Sequence, residues 1–263
     1  GSVPPLDPAL AAGKKTGEEL GDEFIEHPNL LEVRFQDPDN GWLVSSLSVV
    51  YHSSDGGDTW TPISKLSGEW IAGADFIDGR NAFGVSVRGV VTNTSDAGST
   101  WGLQSTGTDE FLLSADFLDT EIGWVVGRKG TVLKTENGGK NWTLLDSQSE
   151  AFLLDVDFID ERNGWAVGRH GVILGTRDGG LTWTPQYSGT VVSLVGVQFI
   201  DDMTGWVFGS GESILRTSDG GETWAPVWQG SNAIDMAGAH FINMQTGWTV
   251  GSGGAIFHTS DGG

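Results

Sequence analysis

Short runs of alternating apolar and polar residues, separated by clusters of glycine, aspartate and asparagine, recur along the whole chain. In the stretch after residue 110 the runs cover residues 112–117, 123–127, 131–135 and 142–145. Alternation with a period of two, bounded by turn-forming residues, predicts four short β-strands joined by tight turns. The apolar spacing near 3.6 residues that helices require is absent. The pattern therefore predicts an all-β protein.

The strand pattern repeats with a step of 41 residues, and two motifs mark the step. The first motif reads Ser/Thr-x-Asp-Gly-Gly-x-Thr-Trp or a near variant, and its sixth copy lies at residues 259–263. The second motif is Phe-x-Asp/Asn followed by Gly-Trp, with Ala82-Phe83 in place of Gly-Trp in the second copy. The key positions of the first motif are Asp55, Asp96, Asn137, Asp178, Asp219 and Asp261, and then Trp60, Trp101, Trp142, Trp183 and Trp224.

Four strands in about 41 residues are typical of one blade of a β-propeller. We predict a propeller of six four-stranded blades over residues 28–263, or seven blades if one is missing from the sequence. Residues 1–27 are predicted to form an N-terminal leader and a candidate ring-closing strand, because the period places a strand near residues 18–25. The 12 tryptophans and 38% hydrophobic content are enough for a large core in one domain.

The first motif resembles the Asp-box, or bacterial neuraminidase repeat. Combined with Phe-x-Asp-x-x-x-Gly-Trp-x-Val-Gly, it is similar to the photosystem II stability and assembly factor family and its non-photosynthetic bacterial relatives. The resemblance covers about residues 30 to 263. It implies a non-enzymatic protein-binding or assembly scaffold, and the family's arginine patch implies a basic binding site. Asp-boxes also occur in sialidases, xyloglucanases and sortilin-like receptors, so the motif is specific for fold rather than for function.

The Asp-box residues have a structural role that needs no ligand. A short carboxylate accepts backbone N–H groups within a tight turn, the glycines permit positive φ, and the tryptophan packs beneath the turn. Asn137 fits this role, because an amide oxygen accepts the same hydrogen bonds. One carboxylate per turn falls short of the roughly six to eight oxygens that calcium takes. We therefore predict no metal and no cofactor.

The charge balance limits the classes of partner. With 35 Asp and Glu against 14 Lys and Arg, the net charge of −21 disfavours nucleic acids and anionic membrane surfaces. No apolar run approaches the roughly 20 residues of a membrane span, and the absence of cysteine excludes disulfides and thiolate metal sites. Gly1-Ser2 is typical of a cloning remnant, which leaves room for a removed signal peptide. We expect a periplasmic or extracellular monomer that binds a protein or peptide.

A candidate partner-binding patch lies in the turns between the second and third strands of each blade. If the strands run A to D outward from the axis, these B–C turns share a side with the D–A connections, opposite the Asp-boxes. In copies two to four, the B–C turns carry Arg88, Arg128, Lys129, Arg169 and His170. We predict that this patch prefers an acidic peptide. The alternative is that these are solvated turn residues that balance Asp146 and Glu150.

The innermost strands carry a second set of polar residues, which we expect to be structural and to bond one blade to the next. This inner set comprises Arg34, Asp75, Asp116, Asp157, Gln198 and His240.

Two enzyme classes and one further architecture remain as alternatives. A sialidase needs a tyrosine nucleophile, and the chain has only Tyr51 and Tyr187. A xyloglucanase-like hydrolase needs two carboxylates at a fixed separation, and a strict 41-residue period leaves little insertion for a substrate cleft. The third alternative is a repeat module of a larger cell-surface protein. The loop carboxylates that a hydrolase would use are Asp109, Glu110, Asp146, Glu150 and Asp235.

Overall fold

The structure is a computed structural model that describes residues 30–45, 48–65, 71–211, 213–229 and 234–263. The chain divides into two compact units, residues 1–109 and residues 110–263, which are described separately. The candidate ring-closing strand within residues 1–27 lies outside the described residues. Among the residues that are described, no helix is long and apolar enough to cross a membrane.

Within the described ranges, twenty-three strands form six antiparallel sheets, each made of strands that are consecutive in the chain. The first unit holds blade 1, with β1 Leu30–Phe35, β2 Gly41–Ser45, β3 Val49–Ser53 and β4 Thr61–Lys65, and blade 2, with β5 Ile71–Phe76, β6 Ala82–Ser86, β7 Val90–Thr94 and β8 Gly102–Ser105. The second unit holds blade 3, with β9 Leu112–Phe117, β10 Ile122–Gly127, β11 Val132–Glu136 and β12 Thr143–Leu145, and blade 4, with β13 Leu153–Phe158, β14 Gly164–Gly168, β15 Ile173–Thr176 and β16 Thr184–Gln186. It continues with blade 5, made of β17 Leu194–Phe199, β18 Gly205–Gly209, β19 Ser213–Thr217 and β20 Ala225–Gln229, and blade 6, made of β21 Met236–Phe241, β22 Gly247–Gly251 and β23 Ala255–Thr259.

The predicted fold class, an all-β propeller of six blades, is confirmed, and the strands of blade 3 begin and end within one residue of their predicted bounds. Blades 1 to 5 have four strands each, and three strands of blade 6 are described. The second strand of blades 1 to 5 is almost wholly buried because both of its faces are covered by apolar side chains.

The Asp-box is a turn closed by its own hydroxyl and carboxylate groups. In blade 4, the Thr182 N–H donates to Asp178 Oδ1 over 2.9 Å, and the Thr182 hydroxyl donates to Asp178 Oδ2 over 2.7 Å. The Gly180 N–H donates to the Thr176 hydroxyl over 2.9 Å, with Gly180 at a φ of 89° that favours glycine. Asn137 accepts the Asn141 N–H over 2.9 Å at the corresponding position. These hydrogen bonds are the ones that the predicted structural role of the Asp-box requires.

The two motifs of the repeat meet at one phenylalanine between consecutive blades. Trp124 of β10 stacks on Phe158 of β13, with ring centroids 3.6 Å apart and planes inclined by 5°. Trp183, which closes the Asp-box of blade 4, meets the same Phe158 ring edge-on at 6.0 Å. Trp124 Nε1 also donates to the carbonyl of Gly179, in that Asp-box, over 2.9 Å. We call this stacked and hydrogen-bonded contact the Trp clasp.

The Trp clasp recurs between later blades, and a cation accompanies each indole. Phe83, which replaces tryptophan in the second copy, has no indole N–H to donate to a turn carbonyl. In one later clasp, the rings of Trp165 and Phe199 stack with centroids 3.4 Å apart, and Trp165 Nε1 donates to the Gly220 carbonyl over 3.1 Å. In the other, the rings of Trp206 and Phe241 stack with centroids 4.0 Å apart, and Trp206 Nε1 donates to the Gly262 carbonyl over 3.1 Å. The cations are Lys134, Arg177 and Arg216, which lie 5.2, 4.8 and 5.4 Å from the centroids of Trp124, Trp165 and Trp206.

A second set of bonds joins the innermost strands of neighbouring blades. Asp116 Oδ2 accepts a hydrogen bond from the Phe158 N–H over 2.6 Å, so a side chain of β9 is hydrogen-bonded to the backbone of β13. This confirms the structural role that we predicted for the inner set, as far as these bonds extend. Arg34 and His240 of the same set are exposed. The other bonds join Asp157 to the Phe199 N–H over 2.6 Å, and Gln198 to the Phe241 N–H over 2.7 Å and carbonyl over 3.0 Å.

Replacing Trp183 with alanine should lower the free energy of unfolding by about 3–5 kcal/mol, because this 3%-exposed indole would leave a cavity beside Phe158. Chemical denaturation measures the loss. Leu181→Ala is the matched control: Leu181 is 68% exposed, and its replacement should change stability by no more than about 0.5 kcal/mol. Equally small effects of both substitutions would contradict this account of Asp-box packing.

The Asp-box should also make stability depend on acid. Hydrogen bonds from the Thr223 hydroxyl, the Thr223 N–H and the Thr217 hydroxyl lower the pKa of Asp219 to about 2. Because the pKa is depressed in the folded state, the carboxylate stabilises the fold above its unfolded pKa of roughly 3.9, and this contribution is lost as pH falls toward 2. We expect the free energy of unfolding to decrease from about pH 4 to pH 2. Denaturation at a series of pH values should show a shallower decrease for Asp219→Asn, and an unchanged slope would contradict the prediction.

Candidate functional site

The B–C turn of blade 3 lies against the connection that leaves the same blade. In blade 3, the Gly130 N–H donates to the Ala151 carbonyl over 2.6 Å, and the Ser147 hydroxyl donates to the Gly130 carbonyl over 2.7 Å. The Asp-box lies beside the A–B turn instead, where the Gly138 N–H donates to the Glu121 carbonyl over 2.9 Å. The prediction that B–C turns and D–A connections share a side is therefore confirmed within this blade. We call this the B–C side.

Three described B–C turns are single turns of 3-10 helix, and the two that carry cations have the same backbone shape. These two turns cover Arg128–Gly130 and Arg169–Gly171. Their middle residues, Lys129 and His170, have φ values of 55° and 61°, in a region that few non-glycine residues adopt. A Cβ on Gly130 would lie 1.8 Å from the Ser149 carbonyl oxygen, so only glycine fits there. The sequence Arg-x-Gly thus fixes a tight turn that carries two side chains on the B–C side.

The arginines of these turns are held against phenylalanine rings. The guanidinium carbon of Arg169 lies 4.3 Å from the centroid of Phe152, and that of Arg128 lies 5.4 Å from the same ring and 5.7 Å from Phe111. Arg128 Nε is buried and has no hydrogen-bond partner. Among the described residues, no carboxylate lies within ion-pair distance of either guanidinium. Phe152 therefore carries two cations whose hydrogen-bonding capacity is open.

Lys129 and His170 have different surroundings. Lys129 Nζ forms an ion pair with Glu110 Oε1 at 2.6 Å, and His170 is exposed. An exposed pair of this kind contributes at most about 1 kcal/mol. Asp146, one of the two carboxylates expected to balance the patch, instead accepts the Gln148 N–H over 2.9 Å.

Arg88 belongs to the first unit, and its side chain is exposed. Its turn is closed like the others, since the Thr106 hydroxyl donates to the Gly89 carbonyl. The other four patch residues, Arg128, Lys129, Arg169 and His170, lie in the second unit.

The residues considered for catalysis have structural surroundings. Tyr51 is 4% exposed and packs with Leu43, Val49 and Trp60, and its burial raises the pKa of the phenol. Tyr187 is 86% exposed. Asp235 accepts the Gly211 N–H over 3.1 Å. No cluster of three or more His, Asp or Glu side chains able to hold a metal ion occurs in the part of the chain that the structure describes.

The sequence did not single out the residues that contact the arginines of the candidate site, nor the cations of the Trp clasps. Phe111 and Phe152, which hold the arginines, stand 41 residues apart, so the repeat itself carried a signal for them. Lys134 and Arg216 lie directly opposite Trp124 and Trp206 in the strand register, a signal that only strand pairing makes readable. In the second unit, Lys134, Arg177 and Arg216 thus belong to the Trp clasps, and Arg128, Lys129 and Arg169 belong to the B–C side.

Solved structures support the fold independently. "YCF48 bound to D1 peptide" is 22% identical over 90% of this chain and 79% of that chain, with a TM-score of 0.73. YCF48 from Cyanidioschyzon merolae is 20% identical over 89% of this chain and 95% of that chain, with a TM-score of 0.57. A GH74 enzyme from Niastella koreensis is 15% identical over 89% of this chain and 45% of that chain, with a TM-score of 0.73. At these identities the similarity establishes the propeller fold alone.

No curated protein matches the chain in sequence. The sequence profile of the family described as photosynthesis system II assembly factor YCF48 matches residues 68–149, 141–191 and 188–263. Those matches include the Arg-x-Gly turns of blades 3 and 4 and the Asp-boxes of blades 2 to 5. The chain belongs to the photosynthesis system II assembly factor YCF48 family.

Proposed function

We propose that this protein is a non-enzymatic scaffold that binds an acidic or carboxylate-terminated peptide segment of a partner protein on the B–C side. The observation that carries the proposal is the pair of guanidiniums on Phe152, with Arg128 at 5.4 Å and Arg169 at 4.3 Å. Arginine matches the paired oxygens of a carboxylate with paired N–H donors. The ligand would therefore place a carboxylate between or above these two side chains.

The state of Arg128 supports a ligand that brings oxygen atoms. A buried donor without an acceptor costs about 1–3 kcal/mol, and native structures keep few of them. Arg128 Nε is such a donor, and the rings of Phe111 and Phe152 limit the directions in which the guanidinium can move. An incoming carboxylate would satisfy the donor without reorganising the site.

The charge of the whole protein adds selectivity to the patch. At a net charge of −21, the chain repels acidic molecules over most of its surface. The cations of the patch then decide where an acidic segment is able to approach. Salt should weaken this attraction, because charges farther apart than a Debye length of about 8 Å are largely screened at physiological ionic strength. Membership of the YCF48 family, together with the solved structure of YCF48 bound to D1 peptide, favours a peptide over a small molecule.

Charge reversal at both arginines should weaken peptide binding at least tenfold. The probe is a fluorescent peptide of acidic residues with a free C-terminal carboxylate, and fluorescence anisotropy at low salt measures its affinity for the Arg128→Glu, Arg169→Glu double variant. Losing a charge-assisted bond costs about 1.5–3 kcal/mol, which corresponds to at least that factor.

The matched control is the double variant Lys140→Glu, Arg162→Glu. It makes the same change in net charge on two exposed residues at the Asp-box side of blades 3 and 4. It should keep most of the affinity, since the local patch is intact. Equal affinities for the parent and the Arg128→Glu, Arg169→Glu variant, with both folded by circular dichroism, would remove the patch as the site.

Glycoside hydrolysis is the alternative function, favoured only by the shared fold of the GH74 enzyme. We expect no turnover of sialosides, xyloglucan or β-glucans. The reasons are the burial of Tyr51 and the engagement of Glu110 and Asp146 in local contacts. Reducing-sugar release and sialic acid release measure the outcome. Hydrolysis that disappears on replacing Asp146 or Glu150 with the amide would overturn the scaffold proposal.

A further inference from the structure

Arginine and phenylalanine side chains alternate along the B–C side of blades 3 and 4. The guanidinium carbon of Arg128 lies 5.7 Å from the centroid of Phe111, in the connection before blade 3, and 5.4 Å from that of Phe152, in the connection after it. The guanidinium carbon of Arg169 lies 4.3 Å from the centroid of Phe152. The order is thus Phe111, Arg128, Phe152 and Arg169, and we call this row the Arg-Phe ladder.

Arg169 ends the ladder with one ring where Arg128 has two. Among the described residues, no ring other than that of Phe152 lies over the guanidinium of Arg169. The exposure of the two arginines agrees with this difference, since Arg128 is half-buried and Arg169 is exposed. One face of the Arg169 guanidinium is therefore open.

The repeat identifies the residue that stands where the next ring of the ladder would be. Phe111, Phe152 and Ser193 follow one another at the 41-residue step. The Arg169 N–H donates to the Phe152 carbonyl over 3.0 Å, and the Ser210 N–H donates to the Ser193 carbonyl over the same distance. Ser193 therefore has the backbone place of the two phenylalanines, but its side chain is too short to cover a guanidinium.

The connection after blade 4, residues 188–193, lacks the acidic residues of the two connections before it. It lies close to the Arg-x-Gly turn of blade 4, because a Cβ on Gly171 would be 2.1 Å from the Thr190 carbonyl oxygen. Val191, which is 82% exposed, occupies the position that Asp109 and Glu150 have in the earlier connections. A valine in place of a carboxylate favours an apolar group nearby and does not repel an anionic ligand.

We propose that the open face of Arg169 is an aromatic subsite of the peptide site, an inference that rests on the proposed function. The bound segment ends in an aromatic residue, whose ring lies over Arg169 where a third phenylalanine would continue the ladder. Its terminal carboxylate pairs with the N–H donors of the arginines. The two contacts do not compete, because a guanidinium takes a ring on its face and donates hydrogen bonds from its edge.

A matched pair of labelled peptides tests the subsite on the 263-residue chain. Both read Gly-Glu-Gly-Glu followed by one last residue with a free carboxylate, which is phenylalanine in one peptide and cyclohexylalanine in the other. The saturated ring has a similar size, but it is more apolar and has no π face. We expect the phenylalanine peptide to bind roughly threefold tighter or more, measured by fluorescence anisotropy at low salt. Burial of apolar surface alone would give the reverse order.

Ser193→Phe should supply the missing ring from the chain itself. This variant should bind both peptides through the carboxylate and lose the preference for phenylalanine over cyclohexylalanine. Leu181→Phe is the control: it places the same ring at a 68%-exposed position in the Asp-box of blade 4, and it should keep the preference. Circular dichroism checks the fold of both variants. The comparison of the two peptides on the parent chain does not depend on either variant.

The outcomes separate the subsite from the proposed function. Equal affinities of the parent for the two peptides, or tighter binding of the cyclohexylalanine peptide, would overturn the subsite. The proposed function would stand in that case if the Arg128→Glu, Arg169→Glu variant binds both peptides more weakly. A preference that persists in folded Ser193→Phe would also overturn the subsite. If neither peptide binds the parent, the proposed function fails and the subsite fails with it.

Discussion

The Trp clasp is the contact on which the second unit depends, because it solves two problems in one place. Each blade is a sheet with two apolar faces, and its neighbour has to cover one of them. Trp124 covers that face by stacking on Phe158, and it also satisfies a turn carbonyl by donating to Gly179. Without an acceptor the buried indole N–H would be costly. The two motifs of the repeat keep the same step because they are the two halves of this contact.

The cations that pack in the Trp clasps lie apart from the cations of the B–C turns. Lys134, Arg177 and Arg216 lie over clasp indoles, where their charge is part of the packing. The B–C side has no such requirement, since its turns are closed by backbone groups and hydroxyls such as that of Ser147. Arg128 Nε has no hydrogen-bond partner among the described residues. The proposed binding site thus lies at the end of the blades opposite the Trp clasps.

The tryptophan at the clasp position of blade 6 has different surroundings from those of blades 3 to 5. Trp124, Trp165 and Trp206 are fully buried, whereas Trp248, at the equivalent position, is 42% exposed. His258 replaces the arginine beside it, with ring centroids 4.8 Å apart.

The sequence alone determined the fold class, the strand bounds of blade 3 and the positions of the Asp-box turns. Each depends on local spacing: two-residue alternation, glycine at positive φ and a carboxylate a few residues from the amide whose hydrogen bond it accepts. Tertiary structure decided the rest. Spacing does not show which ring a guanidinium meets, so Phe152 and the pairing of Lys129 with Glu110 appeared only when separate loops were brought together. The inner-strand bonds, such as that of Asp116 to the Phe158 amide, join residues 42 positions apart. Their partners are set by the packing of one blade on the next, which is a property of the folded chain and not of any single repeat.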